Sequence, residues 1–215
     1  FFKKCGWRWK RIRRGIKLFR PVNYEDKLDT LTDLQTLCRA GHINLFYGDE
    51  AGFSLLPVVP YGWQAPGQVV ERPSRYSSRL NVLGWLSESG ELVHFFTEKS
   101  IDTPFVINSI SAWASGLSRP TVLVLDNAPV HRSSLFKAKL ASWQQQGLFV
   151  FFLPTYSPHL NKIEMLWRKL KYEWLSTAAY TSYETLKTAV TQILSEFGQA
   201  YSIRFAQKYC IINSV

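Results

Sequence analysis

Residues 120–131, Pro-Thr-Val-Leu-Val-Leu-Asp-Asn-Ala-Pro-Val-His, constrain the fold more than any other stretch of the chain. Val122, Leu123, Val124 and Leu125 form a continuous apolar run, β-branched at alternate positions, the pattern of a central strand covered on both faces. The run stops at Asp126. Asn127, Ala128 and Pro129 do not extend the ladder, because proline has no N–H to donate. A carboxylate is thereby left at the carboxyl end of a central strand, the edge of an open α/β sheet where ligands bind. The same residues also read as an Asx-type turn in which the aspartate bonds its own backbone.

Two further acids stand in comparable places. Residues 43–50, Ile-Asn-Leu-Phe-Tyr-Gly-Asp-Glu, are an apolar run that ends at Asp49, and residues 157–164, Ser-Pro-His-Leu-Asn-Lys-Ile-Glu, lead into a helix with Glu164 in its first turns. Acids at strand ends and on an inward helix face cost desolvation unless something positive neutralises them. A hard divalent cation with oxygen ligands is the usual answer.

The remaining elements follow from periodicity and punctuation. Leu28, Leu31, Leu34, Leu37 and Cys38 recur at helical spacing over residues 24–40, with Gly41 as a stop. Residues 43–48 read as a strand, followed by a Pro- and Gly-rich loop over 57–78. Arg72, Arg75 and Arg79 lie in or just after that loop, as candidates for nucleic-acid contact. Residues 80–86 and 92–97 pair as a hairpin around Glu88-Ser89-Gly90-Glu91. Asp102 or Thr103 caps a helix that carries Phe105, Ile107, Ile110, Trp113 and Ala114 to Gly116. After the strand that ends at Asp126, a helix over about 133–146, a strand over 148–153, a helix over about 159–176 and a final packing helix over 182–197 are expected. In the helix over 159–176, Ile163, Leu166, Trp167, Leu170 and Trp174 make one apolar stripe. Glu164, Arg168 and Lys171 share the adjoining face, where Arg168 and Lys171 could run outward as a phosphate track or pair with Glu164 as surface charges.

The charge is unevenly distributed. Residues 1–20 hold Lys3, Lys4, Arg8, Lys10, Arg11, Arg13, Arg14, Lys17 and Arg20 and no acid, so nine of the 26 basic residues lie there. The other 17 stand against 16 acids, so the net charge of +10 belongs to an N-terminal arm rather than to the fold. With Trp7 and Trp9 interleaved, the arm suits the phosphate backbone of double-stranded DNA; a solvated tail is the other reading. Cys5, Cys38 and Cys210 are far apart and in no Cys-x-x-Cys pairing, against a disulfide framework or a structural zinc. No apolar run approaches the roughly 18 residues of a membrane span, and no signal-peptide pattern opens the chain, so a cytoplasmic protein is expected. Phe1 opens the chain and Met165 is its one methionine, which makes a fragment of a longer protein the expectation.

The element order is that of a ribonuclease H-like α/β fold: three antiparallel strands, then parallel strands, in a mixed sheet flanked by helices. Asp49-Glu50-Ala51-Gly52-Phe53, Tyr61-Gly62-Trp63, residues 80–84, Leu125-Asp126-Asn127-Ala128, and residues 154–158 through Leu160-Asn161, Ile163-Glu164 and Trp167 occur in order. Together they resemble the DDE catalytic domain of transposases of the mariner-like superfamily, in its bacterial insertion-sequence branch. The resemblance covers roughly residues 44–175. It implies that Asp49, Asp126 and Glu164 are catalytic and together bind two divalent metal ions, with their carboxylates converging in the fold. The 37 residues between Asp126 and Glu164 (164 − 126 − 1) fit the family's variable spacing. Magnesium is the expected ion for an all-oxygen shell, with manganese substituting.

The resemblance also implies strand cleavage followed by strand transfer, on DNA at element ends and at the target, with a homodimer as one assembly open to it. Residues 6–11 resemble the tail of the family's helix-turn-helix region. Residues 1–40 therefore read as arm and connecting helix, 41–200 as the catalytic domain and 201–215 as a C-terminal tail. His159 and Lys162 depart from the family pattern, at positions that are not metal ligands.

Asn127 and Asn161 are candidates to support the ligands, because ligating carboxylates need outer hydrogen-bond partners. His131 is a candidate to contact a phosphate or orient a ligand, although a lone histidine is commonly structural, and His159 is similar. Glu50 follows Asp49 immediately; adjacent side chains on an extended segment face opposite ways, so it is not expected to share the metals. Two other readings stand beside the enzyme: a catalytically idle DNA-binding remnant of a transposase, and a ribonuclease H-like nuclease acting on RNA–DNA hybrids.

Overall fold

In a computed structural model of the chain, residues 21, 23–56, 66–67, 76–203 and 205 are described. The arm residues Lys3, Lys4, Arg8, Lys10, Arg11, Arg13 and Arg14, the motif at 61–63, Arg72, Arg75, Cys5 and Cys210 lie outside them. The elements in order are α1 (Tyr24–Arg39), β1 (Asn44–Phe53), β2 (Leu80–Ser87), β3 (Leu92–Thr97), α2 (Thr103–Ala114), β4 (Thr121–Leu125), α3 (Pro129–Arg132), α4 (Ser134–Gln145), β5 (Leu148–Phe152), α5 (Ile163–Lys169) and α6 (Tyr183–Ser195). The five strands form one mixed sheet in the order β3-β2-β1-β4-β5. β3, β2 and β1 pair antiparallel, and β1, β4 and β5 pair parallel, the ribonuclease H-like arrangement expected from the sequence.

β4 is central because its side chains belong to two cores. Val122 and Val124 enter the cluster that holds Ile163, Leu166 and Trp167 of α5 and Leu170 just after it, while Leu123 and Leu125 enter the one that holds Ile110 of α2 and Phe136 and Trp143 of α4. Every residue of β4 is buried, so its continuous apolar run is what a strand with two dry faces requires. Asp102 caps α2, its Oδ1 accepting the Phe105 N–H at 2.9 Å. Ser182 and Thr185 form a reciprocal capping box at the start of α6.

Three expectations are corrected. β1 does not stop at Gly48 but runs on to Phe53, because β2 continues to pair with it as far as Phe53↔Leu80. Its parallel pairing with β4 ends at Tyr47↔Val124, so Asp49 lies beyond the end of β4 while still inside the β1–β2 ladder. A short helix, α3, precedes α4, with Ser133 between them capping α4.

The helix expected over 159–176 is broken into a 3₁₀ turn (Pro158–Leu160), α5 and a π-turn (Leu170–Trp174) closed by Leu175 N–H to Leu170 O at 3.1 Å. The wider turn takes Trp174 off the fully buried stripe and packs it on Phe197 and Tyr201. On these turns the i,i+4 ion pair is Lys169 with Glu173, Nζ to Oε2 at 2.7 Å.

Candidate active site

Asp49 and Asp126 are brought abreast by strand register. β1 and β4 run parallel with Asn44 opposite Thr121, an offset of 77 (121 − 44), and the same offset continued past the last pair sets Asp49 beside Asp126. Alternation puts Asp49 on the sheet face of Tyr47 and Ala51, which α5 covers. Glu50 falls on the opposite face, as its neighbour relation to Asp49 requires.

α5 lies close to the sheet at this point. Gly84 is the β2 partner of Asp49, and a Cβ there would stand 3.0 Å from Trp167 Cη2 and 3.3 Å from Ile163 Cδ1. The absent side chain admits Ile163 and Trp167, and between them α5 carries Glu164 to the cleft. Asp49, Asp126 and Glu164 all line one cleft of about 330 Å³, together with Asn127 and Asn161.

The three acids feel one another. Burial and then the Glu164 charge push the Asp49 carboxyl up to about 8. Glu164, exposed at the rim, is raised first by desolvation of its inner side, with Lys171 opposing and Asp126 adding to the rise. Asp126 moves the other way. The hydrogen bond from His131 holds it below the usual carboxylate range against partial desolvation, helped by the Ala128 N–H. Environments that drive neighbouring carboxyls apart are a mark of sites where chemistry is done.

His131 is the buried support of this corner, 1% exposed. Its Nδ1 lies 3.0 Å from Asp126 Oδ1, and its Nε2 faces Glu50 Oε1 at 3.7 Å with no hydrogen-bond partner. Asp126 Oδ1 also accepts the Ala128 N–H at 2.9 Å, so the Asx-type turn is formed as well. Those bonds turn that oxygen toward its own loop. Among the described residues, no three His, Cys, Asp or Glu side chains are gathered closely enough to hold a metal ion as they stand. The convergence expected of the three carboxylates is thus a shared cleft, not a closed ligand cage.

The two asparagines bridge separate elements. Asn127 Nδ2 donates to the Leu153 carbonyl, and Asn161 Nδ2 donates to the Gly48 carbonyl at 2.9 Å. The buried Asn161 Oδ1 has no partner. His159 does not line the cleft; its Nε2 lies 3.0 Å from the Tyr24 hydroxyl of α1.

Among the described residues, three cations stand near the acids. Lys171 Nζ lies 5.4 Å from the centre of the Phe53 ring, and its pKa is lowered first by desolvation and then by Arg79, with Glu164 and Asp49 pulling it back up. Gly52 leaves space for the Arg79 guanidinium, whose Nε would be 1.9 Å from a Cβ there. Arg132 lines the cleft itself. Arg168 is exposed on the outer side of α5.

Sequence reasoning missed Arg132 and Lys27. Lys27 Nζ donates to the carbonyls of Phe152 at 2.7 Å and Leu153 at 3.2 Å, fastening α1 to the same strand end that Asn127 holds. Neither residue sits in a periodic pattern that would have flagged it. Gly84 carried a signal, since a glycine inside a strand marks close approach by another element.

The raised Asp49 pKa has a consequence for stability without added metal. Between the unfolded value near 3.8 and the folded value of about 8, the native state holds a proton that the unfolded chain has released. Stability from this group is therefore full below the lower value and is lost as pH rises through the upper one. Asp49→Asn removes the loss, so in chelator its stability advantage over the parent should grow from about pH 5 to about pH 9 in urea titrations. An advantage that stays constant with pH would contradict the burial of this carboxyl.

The sequence profile of the DDE superfamily endonuclease family matches residues 44–187. The insertion element IS630 uncharacterized 39 kDa protein of Shigella sonnei is 25% identical over 172 residues, which are 77% of this chain and 48% of that protein. The chain thus spans about half the length of this curated relative. Among solved structures, the Mos1 strand transfer complex is similar with a TM-score of 0.59 at 18% identity, over 91% of this chain and 62% of that one. A mariner Mos1 paired end complex with Mg gives a TM-score of 0.57 at 17% identity, over 89% and 60%. With the family profile covering most of the chain, and both neighbours sharing its fold, the chain belongs to the DDE superfamily endonucleases.

Proposed function

We propose that the chain is the catalytic part of an insertion-sequence transposase, which cuts a DNA strand at an element end and joins the freed end to target DNA. One observation carries this reading: Asp49, Asp126 and Glu164 line one cleft at the carboxyl end of the central parallel strands and are electrostatically coupled. Membership of an endonuclease family and the insertion-element relative support it.

The donors present fit a hard divalent cation, since three carboxylates and the unpartnered buried Asn161 Oδ1 are all oxygen. Asp49, Asp126 and Glu164 would hold two magnesium ions, with manganese able to substitute; a paired end complex of Mos1, similar in fold, is described with Mg. Such ions, when bound, lower the pKa of an attacking oxygen and neutralise the charge that develops on the leaving oxygen.

The chain's own groups do the positioning. His131 holds Asp126 through Oδ1 and leaves its second oxygen for the cleft. Asn127 ties the turn that carries Asp126 to the end of β5, and Asn161 holds β1 at Gly48, next to Asp49. Lys171 and Arg79, with Arg168 further out and Arg132 on the cleft wall, draw the phosphate backbone across the acids.

Within this reading, residues 1–40 are the basic arm and connecting helix of a helix-turn-helix DNA-binding region, 41–200 the catalytic domain and 201–215 a tail. Lys3, Lys4, Arg8, Lys10, Arg11, Arg13 and Arg14 add sequence-independent affinity for double-stranded DNA. A homodimer that holds two ends is the working assembly. No helix among the described residues is long and apolar enough to cross a membrane, and we place the protein in the cytoplasm, bound to the nucleoid when it acts.

Nicking of supercoiled plasmid tests the proposal. The chain should nick in magnesium and in manganese, and excess chelator should abolish the activity. Undiminished nicking in chelator, or none in either metal, would count against a metal-dependent DNA endonuclease.

A further inference from the structure

The loop from Leu153 to Asn161 forms one wall of the acid cleft, and at its centre stands a residue that neither packing nor backbone preference explains. Tyr156 is 74% exposed, yet it lines the same cleft as Asp49, Asp126 and Glu164. Its φ is +59°, making it the one non-glycine residue at positive φ among the described residues. An L residue with a Cβ is disfavoured there, and for a bulky side chain the conformation is an outlier. Glycine would fit this position without strain; the chain instead keeps a large aromatic ring in an unfavourable backbone conformation. Strain of this kind gathers at ligand clamps, where surrounding structure over-determines it.

The flanks supply that surrounding structure. Pro154 and Pro158 bracket the turn, buried Ser157 donates through Oγ to the Thr155 carbonyl at 3.3 Å, and Leu160 N–H returns to the Ser157 carbonyl at 3.1 Å. Asn161 then ties the loop's end to the Gly48 carbonyl. The ring is therefore presented from a fixed base. Among the described residues no other ring stacks on it.

We propose that Tyr156 is a stacking platform for an unpaired nucleobase of the strand whose phosphate lies at the acid cleft. The inference rests on the DNA-cleaving reading above and adds to it how the strand is held. The ligand follows from the surroundings. Carboxylates with a hard cation, and Lys171, Arg79 and Arg132 around them, take phosphate; a base attached to that phosphate, once out of its pair, offers a π-face to an exposed ring at the rim. Stacking needs the ring and not the hydroxyl, and every base has a π-face, so the contact positions the strand without reading its sequence.

The test compares the 215-residue chain with Tyr156→Phe, Tyr156→Ala and Tyr156→Gly. Glycine is the informative variant, because it relieves the positive φ while removing the ring, so the loop keeps its shape. The probe is a short duplex with an unpaired 3′-terminal 2-aminopurine nucleotide, set against a blunt duplex of the same sequence, in magnesium. Stacking should quench the 2-aminopurine fluorescence with the parent chain and with Tyr156→Phe. Tyr156→Gly and Tyr156→Ala should lose the quench and bind the overhang duplex on the order of tenfold more weakly, with little change on the blunt one.

Equal quenching by Tyr156→Gly would overturn the proposal. So would unchanged quenching together with an altered sedimentation behaviour, which would make the ring a contact between protein copies. A parent chain that quenches normally yet nicks no plasmid would keep the stacking and sink the nuclease reading alone; one that binds neither duplex would sink both.

Discussion

Replacing Asp126 by asparagine is expected to remove DNA strand cleavage, by a factor on the order of 10³ or more, while folding and DNA binding stay close to those of the parent chain. The two halves of this expectation have separate physical origins. Asp126 Oδ1 accepts the Ala128 N–H at 2.9 Å, and an asparagine Oδ1 accepts the same bond, so the turn after β4 survives. The substitution takes away a charge and one ligating oxygen, which matter only where charge develops during the reaction. His131 loses a carboxylate partner but keeps an oxygen at its Nδ1. Glu164→Gln should behave alike, from the other wall of the cleft. A labelled duplex followed in magnesium and in manganese, beside a melting curve, separates the outcomes. Near-normal cleavage by Asp126→Asn would leave Asp126 as a turn former and nothing more.

Gly84→Val is expected to have the largest effect of any substitution outside the acids. A Cβ at Gly84 already falls 3.0 Å from Trp167 Cη2 and 3.3 Å from Ile163 Cδ1, and valine adds two methyl groups into that contact. Overpacking of this kind costs about 1–3 kcal/mol, partly offset by the preference of valine for strands, which spans about 1 kcal/mol. The larger loss falls on activity. Ile163 and Trp167 flank Glu164 on α5, so lifting them off β2 lifts the acid away from Asp49, the strand partner of Gly84. A misplacement of about 1 Å at a reacting centre can cost about 10²-fold in rate. Gly84→Ala should fall between valine and the parent on both measures. If valine lowers stability in urea titrations and leaves cleavage intact, the depth of α5 does not set the position of Glu164.

How much of this was legible in the sequence depended on whether the signal was local. β4 was readable because both of its faces are dry, and a strand with two dry faces has to be apolar at every position. The start of α2 was readable because capping by Asp102 is a bond made within three residues. The end of β1 was not. Gly48, Asp49 and Glu50 have the composition of a strand end, but β2, far along the chain, goes on pairing to Phe53.

The helix over 159–176 failed for a similar reason, since apolar spacing tracks which face is buried and does not register a π-turn at Leu170–Trp174. The acids of the cleft stood out because a carboxylate at the end of an apolar run needs explaining wherever it falls. Lys27, Arg132 and Tyr156 carried no such mark. Lys27 acts through carbonyls more than 120 residues away, and Tyr156 through a backbone angle that no composition rule reads.

The central claim, that Asp49, Asp126 and Glu164 belong to one metal site, can be tested without any DNA. Manganese titrated into the chain and followed by the electron paramagnetic resonance of the free ion should show uptake of about two ions per chain, as a two-metal site requires. Asp49→Asn, Asp126→Asn and Glu164→Gln should each weaken that uptake, by on the order of tenfold or more, since each removes a charged oxygen ligand from a shared shell. Three variants that titrate like the parent chain would contradict the claim, whatever the cleavage assays showed.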